Sequence, residues 1–203
     1  MVSPPSEPTA GPALSRGPPD PARAEAELVR RAAAGDRAAF ATIVQTHQDR
    51  IARLAVRLLG STGKVEDVVQ DVFVAALRKL GSFRGDASFA TWLTAIALNQ
   101  CRSYQRSRRL WKGLPARLRK PAPDPEPSAD HGAMRRQAIE RVQATVRNLS
   151  AGDREVIVLR YLEELPVSEI AALLGVAKNT VEVRLTRARS RLRERLADLT
   201  DQV

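Results

Sequence analysis

The segment Leu165–Arg195, LPVSEIAALLGVAKNTVEVRLTRARSRLRER, restricts the fold of this chain more than any other stretch. It predicts two short helices meeting at a tight turn. Ile170, Ala171 and Leu174 recur at helical spacing, Ser168 stands where a cap is needed, and Gly175 can take the positive φ on which such helices end. Asn179 is placed to cap the second helix, along which Val181, Leu185, Ala188, Leu192, Leu196 and Leu199 follow one face. Glu182, Val183, Thr186, Arg187 and Ser190 lie off that stripe. This is the pattern of a helix-turn-helix unit, whose second helix places its N-terminal side chains in the major groove of DNA. The competing interpretation is an ordinary amphipathic pair in a helical bundle with a solvated basic face. The small Ala171 where the helices must approach, the Gly175-Val176 turn and the polar Lys178-Asn179-Thr180 entry favour a DNA reader.

Charge agrees without deciding the matter. The 203 residues hold 33 Lys and Arg against 23 Asp and Glu, a net +10. Such a surface concentrates polyanions and supplies the salt-sensitive part of nucleic-acid binding, but an acidic membrane would be attracted as well. No apolar run approaches the ~18 residues of a membrane span. The N-terminus lacks the apolar core of a signal peptide. Cys101 is the only cysteine, which excludes an intrachain disulfide and agrees with a cytoplasmic protein; on a helix it reads as a small buried hydrophobe. His47 and His131 are too isolated for a metal site. No phosphate-binding glycine loop or nucleophile–histidine–carboxylate set is present, so neither an enzyme nor a cofactor is expected.

The chain divides by composition. Residues 1–24 are rich in Pro, Gly, Ser and Ala and too poor in large apolar groups to offset their ordering entropy, so a disordered tail is expected. Residues 111–133, around the proline-rich stretch LPARLRKPAPDPEPSADHG, read as a flexible linker. Between them, 25–110 predicts an all-α domain. A helix beginning near Ala24 bears Leu28 and Val29; after Gly35-Asp36 a second runs through Phe40 and Ile43 to Gly60. A third spans Val65–Leu80 with Val68, Val72, Phe73, Ala76 and Leu77 on its apolar side, and a fourth starts at Ser88 and runs through Trp92 towards Arg109. The second domain, 134–203, predicts a helix through Ile139, Val142 and Val146. A further helix capped by Ser150, with Val156, Leu159 and Leu162 inward, precedes the helix-turn-helix. Period-two alternation is not sustained anywhere, so the expected fold is all-α: two small helical domains joined by a linker.

Two further segments are more distinctive: Val65-Glu66-Asp67-Val68-Val69-Gln70-Asp71-Val72-Phe73, and Phe83-Arg84-Gly85-Asp86-Ala87-Ser88-Phe89-Ala90-Thr91-Trp92-Leu93 leading through Asn99 to an Arg-rich helix end. With the helix-turn-helix, in this order, they resemble a bacterial RNA polymerase sigma factor of the extracytoplasmic-function (ECF, group four) type, over 25–110 and 134–200. The resemblance implies a region-two domain, a linker and a region-four domain. It also implies binding to core RNA polymerase (its β′ clamp helices and its β subunit), recognition of promoter DNA, and control by an anti-sigma factor.

Carried over, Asp67, Gln70, Asp71 and Phe73 would lie at or beside the polymerase interface; the other interpretation is a solvated acidic face with Phe73 in the core. The Phe83–Leu93 segment resembles the loop and helix start that read the −10 element, where a base flipped from the stack needs a snug pocket and polar partners. Arg84, Ser88, Asn99, Arg102 and Arg106 are its candidates, Asn99 as donor and acceptor and the arginines on phosphates. Trp92 invites stacking, yet its spacing with Leu93 and Ile96 fits a core residue better. Ala95 stands where many members carry a basic residue, and Ser103 near where they carry a carboxylate or amide, which leaves the −10 preference open.

The −35 candidates are Lys178, Asn179 and Thr180 near phosphates and Glu182, Val183, Thr186 and Arg187 at the bases. A bidentate Arg187–guanine contact would discriminate by roughly 1–3 kcal/mol. Glu182 is unusual for the family and would accept from cytosine N4 or position a neighbouring arginine. The alternative function is a stand-alone helix-turn-helix transcription regulator, which would bind DNA tightly on its own. An RNA-binding helical protein fits less well, because aromatic residues make up only 4% of the chain.

Overall fold

The computed structural model describes residues 21–60, 64–112 and 133–200, and these are helical with short connections. The N-terminal group comprises α1 (Pro21–Ala33), α2 (Arg37–Leu59), α3 (Val65–Lys79), a 3₁₀ turn at Leu80–Ser82, and α4 (Phe89–Lys112). The C-terminal group comprises α5 (Ala133–Arg147), α6 (Ala151–Tyr161), α7 (Val167–Leu174) and α8 (Lys178–Thr200). The all-α expectation holds for the described residues. The expected tail and linker lie outside them, except for residues 21–24, 111–112 and 133, which are helical.

Local chemistry sets the helix ends. Asp36 caps α2, its Oδ1 accepting from the Ala38 and Ala39 N–H groups at 2.9 and 3.0 Å, while Arg31 donates to its Oδ2. Gly60 closes α2 at φ 71° with its N–H on the Val56 carbonyl. Glu66 and Asp67 occupy the first turn of α3 and Arg78 and Lys79 its last, each complementing the helix dipole. Ser88 caps α4 by accepting from the Thr91 N–H at 3.0 Å, and Ser150 caps α6 through the Asp153 N–H at 3.2 Å. Gly175 ends α7 at φ 66° as expected.

Two expected caps are displaced. Pro166 precedes α7, so Ser168 sits inside its first turn; α8 starts at Lys178, so Asn179 is also within the helix. Proline preorganises a helix start through its fixed φ, and helix starts slip by a residue or two when tertiary packing supplies the anchor.

In the N-terminal group α2, α3 and α4 pack around Ile51, Leu54, Val72, Leu93 and Leu98, with α1 laid across α2. In the C-terminal group α8 contacts α5, α6 and α7, burying Val156, Leu159, Ile170, Val181 and Ala188. Cys101 is buried, as its helical position suggested. Leu77 and Leu162, expected inward, are instead 52% and 43% exposed: each lies at the margin of an apolar stripe that no neighbouring element covers. Val142, also expected on a buried face, is exposed.

The two groups touch. Both α5 and α6 lie against α2. Arg154 of α6 donates to the Leu58 carbonyl at the end of α2, at 3.1 Å, and to Leu149 O. Arg102 of α4 forms a two-pronged pair with Glu155 of α6, Nε–Oε1 2.8 Å and Nη2–Oε2 2.7 Å. Arg50 of α2 pairs with Glu163, just beyond α6.

Candidate docking groove and nucleic-acid interface

A groove of about 610 Å³ runs between α2 and α3. Its walls are apolar: Phe40, Val44 and Ala52 from α2, and Val65, Val69, Phe73, Val74 and Leu77 from α3. Gln48, Asp49, Glu66 and Gln70 form a polar and acidic rim. Gln70 and Phe73 therefore belong to the groove, with Phe73 only 7% exposed and packed into the core as well. Asp67 and Asp71 are exposed on α3 one turn apart without lining it, and Asp67 receives Lys64 Nζ at 2.9 Å. The α2 side of the groove was not anticipated. Phe40 and Val44 read as ordinary core positions, and only the depth of the α2–α3 crevice exposes their flanks.

The loop before α4 is built on an aromatic cluster. Phe83 meets Phe89 edge-on at 5.6 Å, Trp92 lies 5.4 Å from both, and His47 packs edge-on against Phe89 at 5.4 Å. Trp92 is thus half-buried structural packing, as its spacing indicated. Burial pushes the His47 imidazole below its ordinary range and outweighs the Glu25 carboxylate at 3.0 Å, which acts in the opposite sense; Arg50 adds to the lowering. Arg84 stands exposed on the loop, where Gly85 has φ 79°. Asn99 and Arg106 are exposed along α4 and share a face with Arg102. Ser88 spends its oxygen on the α4 cap and its hydroxyl proton on Thr91 Oγ1, so it shapes the loop start. Arg102 is brought onto this face but its guanidinium is engaged by Glu155.

On α8, Lys178, Asn179, Glu182, Val183, Thr186 and Arg187 are exposed together at its N-terminal half, while Thr180 is half-buried. Val183 is 54% exposed among them. Arg187 is not a free reader. Its Nε and Nη2 bond the fully buried Asp153 carboxylate of α6, which Arg191 reaches as well at 3.1 Å. Burial alone would push the Asp153 carboxyl up; hydrogen bonds from Arg187 and Ser150 and the two guanidinium charges outweigh it and hold the carboxyl below the usual range. The Arg187 side chain remains half exposed. The sequence carried no signal for this brace, because Asp153 lies 34 residues away and reads as a first-turn helix acid.

Among the described residues no cluster of His, Cys, Asp and Glu could hold a metal ion, and no helix is long and apolar enough to cross a membrane. The described helices present an uncovered apolar groove and exposed polar and basic side chains on one helical group, and a helix-turn-helix on the other.

The family profile for sigma-70 region 2 matches residues 43–110, and that for sigma-70, region 4 matches residues 139–192. The ECF RNA polymerase sigma factor SigM of Mycobacterium tuberculosis is 37% identical over 182 residues, covering 89% of each chain. The structure of CnrH in complex with the cytosolic domain of CnrY aligns with a TM-score of 0.59 at 34% identity, over 88% of this chain and 98% of that one. The sigma factor RpoE of Bartonella quintana, in complex with the anti-sigma factor NepR, aligns with a TM-score of 0.65 at 27% identity, over 78% and 96%. The chain belongs to the ECF group of the sigma-70 family of RNA polymerase sigma factors, which are transcription initiation factors and not enzymes.

Proposed function

We propose that this sigma factor uses α3 and the α2–α3 groove to dock on the β′ clamp helices of core polymerase, and its two helical domains to read one promoter. The domains correspond to residues 25–110 and 134–203. The observation that carries the docking assignment is the groove itself: Val74 and Leu77, 40% and 52% exposed, extend an apolar wall that the chain's own helices leave open. Gln70 and Phe73 line it, and Asp67 and Asp71 give the adjoining α3 surface a negative charge suited to a basic partner.

At the −10 element, Arg84, Asn99 and Arg106 contact the strand, Ser88 fixes the loop through its cap, and Arg102 joins them once released from Glu155. At the −35 element, Glu182, Val183 and Thr186 face the bases, with Val183 suited to a thymine methyl. Lys178, Asn179 and Thr180 lie near phosphates, and Arg187 reaches DNA with its half-exposed guanidinium while Asp153 orients it. Polymerase tethers both readers to one promoter, so neither needs high affinity alone. RpoE was solved with the anti-sigma factor NepR bound and CnrH with the cytosolic domain of CnrY, which supports an anti-sigma partner for this chain too. A polymerase partner supports a cytoplasmic location for the chain.

Run-off transcription with purified core enzyme tests the assignment: the protein should stimulate initiation at promoters of the producing organism. Asp71→Arg should abolish retention of core enzyme in a pull-down while leaving the helical circular dichroism unchanged; retention equal to wild type removes α3 from the interface.

A further inference from the structure

We infer that Asp153 is a positioning residue for the −35 reader. Its buried carboxylate holds Arg187 by one edge of the guanidinium and leaves the other edge for a guanine in the major groove. The inference rests on the −35 reading of α8 proposed above and deepens it: it adds a specificity-determining residue from outside the helix-turn-helix and names the base that Arg187 selects.

The geometry of the fork carries the argument. A guanidinium presents two two-pronged edges, a side edge made by Nε and Nη2 and an end edge made by Nη1 and Nη2. Asp153 takes the side edge: Arg187 Nε lies 3.1 Å from each carboxylate oxygen, and Nη2 donates to Oδ1. The end edge meets no acceptor among the described residues. Half of the Arg187 side chain is exposed, whereas Asp153 is fully buried. Guanine O6 and N7 accept from paired arginine N–H groups, which the end edge can supply. Carboxylate and guanine therefore use different edges of one guanidinium and do not compete for it.

The surroundings hold the fork still. Arg191, one turn further along α8, donates Nη1 to Asp153 Oδ2 at 3.1 Å. Ser150 Oγ accepts from the Asp153 N–H at 3.2 Å and fixes the first turn of α6. Arg184 lies over the neighbouring Gly152, where a Cβ would stand 3.4 Å from its Nη1 and 3.5 Å from its Cζ. Burial opposes ionisation of Asp153, yet the hydrogen bonds from Arg187 and Ser150 hold its carboxyl below the usual range, so it is charged at neutral pH. An untethered arginine on this helix could bond any nearby phosphate, a contact that carries no sequence information. The buried carboxylate withdraws Arg187 from that competition and leaves it to read by hydrogen-bond geometry, beside the exposed Glu182, Val183 and Thr186.

The test uses the full chain reconstituted with core polymerase to select from a random-sequence duplex pool, with base enrichment at each position read by sequencing. Wild type should favour one guanine, on either strand, by roughly tenfold over other bases, and Arg187→Ala identifies that position by flattening it. Asp153→Asn should flatten the same position and leave the others enriched, at a temperature where circular dichroism shows it folded. In the Arg187→Ala background it should change that position no further. Arg191→Ala removes a bond to the same carboxylate but spares the fork, so its profile should match wild type. A wild-type profile in Asp153→Asn overturns the inference. So does a uniform weakening of every position, which marks a structural brace, or a loss in Arg191→Ala equal to that in Asp153→Asn. Failure of wild type to enrich any upstream position would instead remove the −35 reading itself, so the two failures are distinguishable.

Discussion

Gly60 tests whether the two helical groups meet as described. It ends α2 at φ 71°, and a Cβ placed there would lie 2.7 Å from Arg154 Nη1, far inside van der Waals contact. Gly60→Ala therefore has two consequences. The left-handed backbone disfavours alanine by about 1 kcal/mol. The Arg154 side chain must also move, giving up its bonds to the Leu58 and Leu149 carbonyls at 3.1 and 3.2 Å. Bonds from a charged donor contribute about 1.5–3 kcal/mol each, but release returns a desolvated guanidinium to water, so a combined loss of about 1–2 kcal/mol is reasonable. The total is about 2–3 kcal/mol of unfolding free energy, read from urea denaturation followed by circular dichroism. In an Arg154→Ala background there is nothing left to displace, and Gly60→Ala should destabilise by only the ~1 kcal/mol backbone term. A double-mutant coupling below about 0.5 kcal/mol would mean that Arg154 does not sit over Gly60, and the contact between α2 and α6 would have to be redrawn.

Two further expectations follow from buried titratable groups. Burial, with a contribution from Glu155, pushes the Cys101 thiol up from 9.0 to about 12. Above about pH 9 the unfolded chain loses this proton while the folded chain keeps it, so stability should fall by up to ~1.4 kcal/mol per pH unit until the folded thiol titrates. Cys101→Ala should remove that part of the alkaline slope, and urea midpoints identical in slope to wild type would refute the burial of the thiol. Asp153 has the opposite sign. Its depressed carboxyl contributes stability above the ordinary carboxylate value of 3.8, and that contribution is lost as the pH falls through the lower folded value. Asp153→Asn should lower the urea midpoint at neutral pH and flatten its decline in acid; an unchanged neutral midpoint would show that the Arg187 and Arg191 contacts contribute nothing.

Much of the architecture was legible in the residues because it depends on short-range chemistry. The period of Val65–Lys79, the Asp36 and Gly60 termini, the Ser150 cap and the Gly175 turn each follow from neighbours within a few positions. Cap placement failed where Pro166 supplied a helix start two residues earlier than Ser168. Side-chain facing failed at stripe margins, for Leu77, Val142 and Leu162, because helical period defines a face but not how far the neighbouring helix covers it.

The candidate surfaces divide along the same line. The sequence by itself determined an all-α chain, a helix-turn-helix at its C-terminal end and the positions whose exposure DNA reading requires, since propensity, capping and apolar period are local. The tertiary structure alone decided which of those charges are available. It tied Arg187 and Arg191 to Asp153, Arg102 to Glu155 and Arg50 to Glu163, pairs separated by 34 to 113 residues. It also opened the α2–α3 groove. An isolated arginine in a sequence has no partner until the chain is folded, because charge pairing depends on distance and desolvation in space, and neither is encoded at any single position.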